Sequence, residues 1–171
     1  MELTPIRLLP DDPNGWLWWP AFEARVKNFT EKYSPETDGK SLAFDLRQRF
    51  VNTPNFTGYW LVLDENSKPV AHCVCWLGNQ YNRYYIFGLQ AEADDGYKLD
   101  DVANLVMAEI DEWAKKVNKT LPAGAGLIDR CELCTFRDAP VWMRYLKMHN
   151  RGNAQVRSVI RFDLNVGQDN V

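Results

Sequence analysis

Tyr84-Tyr85-Ile86-Phe87-Gly88-Leu89-Gln90, the acidic turn Ala91 to Lys98 that follows it, and the segment from Leu99 to Val117 together decide the fold. The first piece is short, apolar and rich in aromatic residues, which reads as a buried strand. From Leu99 the apolar positions are Leu99, Val102, Ala103, Val106, Ile110, Trp113, Ala114 and Val117. They recur three and four residues apart and so share one face of a helix. Asp100 and Asp101 open that helix, and Lys115, Lys116 and Lys119 close it, as the helix dipole favours. A strand feeding a helix N-terminus is a place where α/β proteins hold phosphate, so the turn between them is the first candidate site.

Working outward, the chain before this stretch divides into a helical and a strand region. Leu3 to Leu9 is a short strand stopped by Pro10, and Asp11 to Gly15 is turn chemistry. Trp16, Trp18 and Trp19 come next, and Pro20 begins a helix continued by Phe22, Val26, Phe29 and Tyr33. Ser41 is placed to cap a second helix carrying Leu42, Leu46 and Phe50. Tyr59 to Leu63 and Val70 to Leu77 flank a polar turn and read as a hairpin, which the run at Tyr84 extends to an antiparallel meander. After the central helix, Ile128 to Phe136 reads as strand, Asp138 caps a helix bearing Trp142, Tyr145, Leu146 and His149, and Gln155 to Leu164 alternates as a half-buried strand. The strands at Tyr84 and Ile128 are joined by a helical crossover and so run parallel.

Composition narrows the function. A chain of 171 residues with 46% hydrophobic content suits a single domain, 1–171. A net charge of -3 argues against general affinity for nucleic acid. No run approaches the roughly 18 apolar residues of a membrane span, and no basic, apolar leader precedes the first strand, so the chain is expected in the cytoplasm. Cys73 and Cys75 share one side of a strand, whereas Cys131 and Cys134 face opposite sides. Cys131-Glu-Leu-Cys134 has C-x-x-C spacing but reads as strand rather than the tight turn that zinc ligands come from, and no second such pair exists at finger spacing, so the thiols are expected to be reduced and no metal site is expected. His72 and His149 lie on different elements with no nucleophile motif between them, which leaves a hydrolase triad without support.

The element order β-α-α-β-β-β-α-β-α-β, over nearly the whole chain, resembles the GNAT N-acetyltransferase fold. Trp60-Leu-Val-Leu-Asp64 and Lys68-Pro-Val-Ala71 resemble that family's second and third strands, Tyr84 to Gln90 its fourth, and Leu99 to Val117 its central helix. Tyr145-Leu-Lys-Met-His-Asn150 falls where members often carry a Tyr-x-x-x-Gly-Phe segment. The resemblance implies an α/β (α+β) architecture: a mixed, mostly antiparallel sheet of about six strands, helices on both faces, and fourth and fifth strands that splay at the central helix.

Family members hold the pyrophosphate of acetyl-CoA on a (Gln/Arg)-x-x-Gly-x-(Gly/Ala) loop, which here is Ala93-Asp94-Asp95-Gly96-Tyr97-Lys98. Gly96 matches, while Ala93 and Lys98 depart. Asp94, Asp95, Asp100 and Asp101 are expected to take the free N–H groups of the helix and to repel a pyrophosphate. The expectation is therefore a GNAT-like protein without acetyl-CoA-dependent catalysis and without cofactor, acting by binding a protein partner or a second copy of itself. Trp16, Trp18 and Trp19 suit such a contact, because three tryptophans so spaced cannot all be buried on one helix face. The alternative is an N-acyltransferase moving an acyl group from acetyl-CoA or another acyl-CoA to an amine. In that case Gly96, Tyr97 and Lys98 would hold the cofactor, Tyr145 would be the general acid that the resemblance implies, and Glu92 the general base. Arg144, Lys147 or Arg151 would then grip the phosphates from the other side.

Overall fold

The computed structural model describes residues 2–80 and 83–133, all within one unit spanning Met1–Cys134. In chain order the elements are β1 (Thr4–Arg7), α1 (Pro13–Tyr33), α2 (Gly39–Asn52), β2 (Thr57–Leu63), β3 (Pro69–Gln80), β4 (Arg83–Ala93), α3 (Leu99–Asn118) and β5 (Cys131–Leu133). The strands form one sheet in the order β1-β2-β3-β4-β5. Pairing is antiparallel from β1 through β4. Between β4 and β5 it is parallel, Ile86 facing Cys131 and Gly88 facing Leu133. Each part of the expected order that these residues cover is present, with β4 inside the sheet. The helix expected to carry Tyr145 and the strand expected at 155–164 fall outside the described residues, as does the part of the expected fifth strand, 134–136, that would show its splay from the fourth.

Both faces of the sheet are covered, and away from the register shifts alternation along the strands assigns residues their sides. Trp60, Val62, Ala71, Cys73, Cys75 and Ile86 pack with Val102, Val106, Ile110, Trp113 and Val117 of α3. Tyr59, Leu61, Leu63 and Val74 pack with Trp19, Phe22 and Val26 of α1 and Leu46 and Phe50 of α2. Burying a large apolar side chain stabilises by about 1.5–3 kcal/mol, so these two layers supply most of the driving force. On the α3 side, the Arg7 guanidinium lies 5.8 Å from the Trp60 ring and 5.4 Å from the Trp113 ring. It ties the first strand to the crossover helix through cation–π attraction, and burial pulls its pKa below the ordinary arginine range.

In the strand pair that leads to the candidate site, the ladder shifts register. Val74 pairs with Gln90 and Cys75 with Gly88, so Leu89 is one residue too many on β4. Leu89 packs on the α1/α2 layer and Gln90, its neighbour, bonds to α1 as well. Two successive side chains on one face are what a β-bulge produces, and it re-aims the last turn of β4.

Three expectations are corrected. Only Asp11 and Asp12 of the expected Asp11 to Gly15 turn lie ahead of the helix, because α1 starts at Pro13, the Asp12 carboxylate accepts from Asn14 N, and Pro20 sits inside the helix. Turn-forming residues served as an N-cap instead. Asp38 rather than Ser41 caps α2, accepting from Lys40 N at 3.0 Å and from the Ser41 hydroxyl at 2.6 Å. Ile128 lies ahead of β5: its N–H and C=O bond to the Asn118 side-chain amide at 2.7 and 3.2 Å, which caps the crossover.

Gly15 occupies the helix because α1 passes directly over the chain before it. A Cβ there would lie 2.0 Å from the carbonyl oxygen of Leu9, a backbone atom. Gly15→Ala is therefore expected to cost about 1–3 kcal/mol despite alanine's better helix propensity, measured as a drop in the urea midpoint at unchanged m.

Candidate functional site

The loop that joins β4 to α3 is anchored at both ends. At its start, Asp94 N donates to Val70 O at 2.8 Å, continuing the β3 pairing past the end of β4. The Asp94 carboxylate accepts from Arg25 of α1 at 2.8 Å. The same guanidinium donates to Pro69 O and Val70 O, each at 3.2 Å. At its far end, the Tyr97 hydroxyl donates to Asp64 Oδ2 at 3.3 Å, and the Tyr97 ring packs on the α3-side core. Asp64 is itself fixed by the β2–β3 turn, where its Oδ1 accepts from the N–H groups of Asn66 and Lys68 at 2.9 Å each. Those bonds, that of Lys68 foremost, hold its pKa below the usual carboxylate value.

Between the anchors the backbone turns through Gly96, whose φ of +95° is strained for other residues. A Cβ added there would meet no atom within 4 Å, so the loop is open at this point. Lys98 is the N-cap of α3 and makes no side-chain capping bond. The first helical bonds run from Asp101 N and Val102 N to Lys98 O at 3.2 and 3.3 Å. The N–H groups ahead of them have no intrahelical acceptor by the geometry of any helix start. Asp94 is drawn away by Arg25, and Asp100 and Asp101 lie inside the first turn, exposed, where they favour the dipole without capping it.

Glu92 lies two residues before the loop. Its carboxylate accepts from Lys32 of α1 at 3.1 Å and is mostly covered, 18% exposed, whereas the lysine is 60% exposed. Contact with Tyr33 first, and with Glu92 second, raises the Lys32 pKa above its ordinary range. Two residues back along β4, a buried chain of polar groups crosses from the sheet to α1. Thr30 Oγ1 donates to Val26 O at 2.8 Å, Gln90 Nε2 donates to Thr30 Oγ1 at 3.0 Å, and His72 Nε2 stands 3.4 Å from Gln90 Oε1. With the Gln90 amide so oriented, His72 is the Nε2–H tautomer and its buried Nδ1 is left without a partner.

Of the expected site residues, Glu92 is on β4 and paired with α1, Gly96, Tyr97 and Lys98 follow it by four to six residues at the far end of the loop, and Tyr145 lies outside the described residues. As their spacing implies, the three tryptophans are not all buried. Trp16 is 39% exposed and Trp19 3% exposed, with Trp18 half-buried. Trp16 is also engaged within the fold, donating from Nε1 to Pro10 O at 2.9 Å and meeting the Phe50 ring edge-on. Cys73 and Cys75 are buried with sulfurs 3.6 Å apart. Among the described residues no cluster of His, Cys, Asp or Glu is arranged to hold a metal ion, and no helix is long and apolar enough to cross a membrane. Arg25 and Lys32 were not read as site residues from the sequence. A signal for Arg25 existed, since it falls three after Phe22 and four before Phe29, on the inward face of α1.

No protein-family model and no curated protein sequence matches the chain. Solved structures do. A probable acetyltransferase aligns with 12% identity over 99% of this chain and 100% of its own, at a TM-score of 0.63. The aminoglycoside antibiotic 6'-N-acetyltransferase AAC(6')-Ih from Acinetobacter baumannii aligns with 13% identity over 97% of this chain and 100% of its own, at 0.61. AAC(6')-Iy, solved with the bisubstrate analogue CoA-S-monomethyl-acetylneamine, aligns with 9% identity over 96% and 99%, at 0.62. The likeness is one of fold: this chain has the GNAT acetyltransferase fold.

His72 offers a check on the buried polar chain. Burial first, and the Arg25 charge second, push its pKa down to about 3, so the folded protein keeps it neutral. The unfolded chain binds a proton below an ordinary value of about 6.5, so folding loses stability as pH falls from there toward 3 and gains nothing above it. Urea unfolding at pH 7 and pH 5 should show a loss about 2 kcal/mol larger for the wild type than for His72→Gln.

Proposed function

We propose that the chain is an acyl-CoA-dependent N-acyltransferase, the alternative rather than the first of the two sequence-based readings. One observation carries it: within a GNAT fold, the helix start that follows β4 has no side-chain cap, and the carboxylate that opens the loop, Asp94, is paired with Arg25. Backbone N–H groups at the positive end of a 20-residue helix suit a pyrophosphate. The open space at Gly96 admits it close to the backbone, and the exposed Lys98 adds a cation at the loop's last position. Asp95, Asp100 and Asp101 oppose it, but all three are exposed and act through salt-screened solvent. The residues present therefore fit the group through backbone donors, with Ala93 supplying none of what a Gln or Arg side chain would.

Acyl-CoA, when bound, supplies a thioester carbonyl that an amine can attack with the CoA sulfur as leaving group. Glu92 is the proposed base, accepting the proton that the amine nitrogen sheds as the new C–N bond forms. Its Oε1 is steadied by Lys32, which fixes where the carboxylate points. Tyr145 is the proposed acid, giving its phenolic proton to the departing sulfur; this role is carried from the family resemblance.

Calorimetric titration tests the proposal. Acetyl-CoA is expected to bind more tightly than about 100 μM, or roughly -5.5 kcal/mol, and absence of binding at millimolar acetyl-CoA overturns the reading in favour of a non-catalytic protein. With an amine acceptor in hand, Glu92→Gln and Tyr145→Phe should each lower kcat by about a hundredfold while acetyl-CoA affinity stays within a factor of about two.

A further inference from the structure

The bonds around Asp94 form a closed ring. Val70 O accepts from Asp94 N at 2.8 Å and from Arg25 Nη2 at 3.2 Å, and the same Nη2 donates back to Asp94 Oδ1 at 2.8 Å. Arg25 adds a fourth bond to Pro69 O through Nη1. The arginine is well covered, its side chain 14% exposed, while the carboxylate it holds is 39% exposed. A planar guanidinium with several donors in fixed directions is suited to such a joint, and lysine could not make it. The joint links three elements that are far apart in sequence: α1, the first residues of β3, and the first residue of the loop ahead of α3.

Asp94 is four residues ahead of Lys98, the uncapped start of α3. An unrestrained carboxylate at this place has two courses open to it. It can turn toward the free N–H groups of the helix across the Asp94–Tyr97 turn, which Tyr97 N closes by donating to Asp94 O at 3.4 Å, or it can stay as an uncompensated negative charge beside them. Either course opposes an anionic ligand there. Resting on the acyl-CoA reading above, we propose that Arg25 is a positioning residue for the cofactor: it neutralises the Asp94 carboxylate and holds it off the N-terminus of α3, so that those N–H groups remain available to phosphate.

This role differs from simple cross-linking in what the two partners are worth. Were the pair only a brace, losing either member would loosen the loop alike. If Arg25 acts on the Asp94 charge, its loss is harmful because the carboxylate stays behind, and removing the carboxylate as well repairs the damage.

The test is acetyl-CoA affinity by calorimetry for the wild type, Arg25→Gln, Asp94→Asn and the double variant, with circular dichroism to confirm folding. Arg25→Gln should weaken binding about tenfold, the effect of one unit charge several ångström away near a surface. Asp94→Asn should bind within about twofold of the wild type or more tightly, and the double variant should follow Asp94→Asn. KM for acetyl-CoA should move with these affinities, whereas kcat at saturating acetyl-CoA stays within about twofold throughout. Equal weakening in both single variants, no weakening in Arg25→Gln, or no recovery in the double variant overturns the inference while leaving the acyl-CoA reading intact. Should Arg25→Gln not fold, Asp94→Asn decides alone, and a loss of affinity there overturns it. A wild type that does not bind acetyl-CoA overturns the functional reading, and the cofactor role of Arg25 with it.

Discussion

A sheet buried on both faces is the constraint from which the rest of the molecule follows. Every residue of β2 is buried, and so are the six from Val70 to Cys75 on β3. A strand buried on two sides needs a helical layer on each, and no amphipathic pattern in one helix can provide both. The pair α1 and α2, contiguous in sequence, covers one face, and the crossover helix α3 covers the other. The parallel β4–β5 pairing is a consequence of that crossover, and the crossover leaves a helix N-terminus at the end of β4.

The same constraint explains why polar groups inside the sheet are chained to one another. His72 and Gln90 face the α1 layer at positions where water is excluded, so each must find a protein partner or remain unsatisfied. Gln90 meets this by bridging His72 to Thr30, and Thr30 meets it by returning its hydroxyl to the backbone of its own helix. The β4 bulge takes part in this arrangement. With one extra residue at Leu89, Gln90 is on the α1 side, and Glu92 follows it on that side to meet Lys32. Interior hydrogen bonding, the direction of the strand end and the pairing of the candidate base are therefore settled together.

Charge at the candidate site illustrates how far composition misleads when geometry is unknown. Eight acids against one lysine lie between residues 91 and 112, and four of them, Asp94, Asp95, Asp100 and Asp101, read as hostile to phosphate. In the fold, Asp94 is compensated by Arg25 and Glu92 by Lys32, both from α1, sixty or more residues earlier in the chain. Glu112 pairs with Lys115 one turn along the same helix, far from its N-terminus. Acids counted together in sequence thus act at separate places, and the effective charge at the loop is smaller than the count.

What could be read in the sequence was whatever depends on local periodicity. The three-and-four spacing of Val102, Val106, Ile110, Trp113 and Val117 specified α3 and its buried face, and the runs at Tyr59, Val70 and Tyr84 specified a meander, because strand and helix repeats are properties of neighbouring residues. Cys73 and Cys75 were placed on one side of their strand for the same reason. Element ends were less legible: Asp12 and Pro13 suit a turn and a helix start equally, and only the packing of Gly15 against Leu9 selects the helix. The bulge at Leu89, the Arg25–Asp94 joint and the tie from Tyr97 to Asp64 were decided by tertiary structure alone. Each depends on register or on contact between segments distant in the chain, and no residue's neighbours in sequence carry information about which distant carbonyl or carboxylate the fold will bring within hydrogen-bonding reach of it.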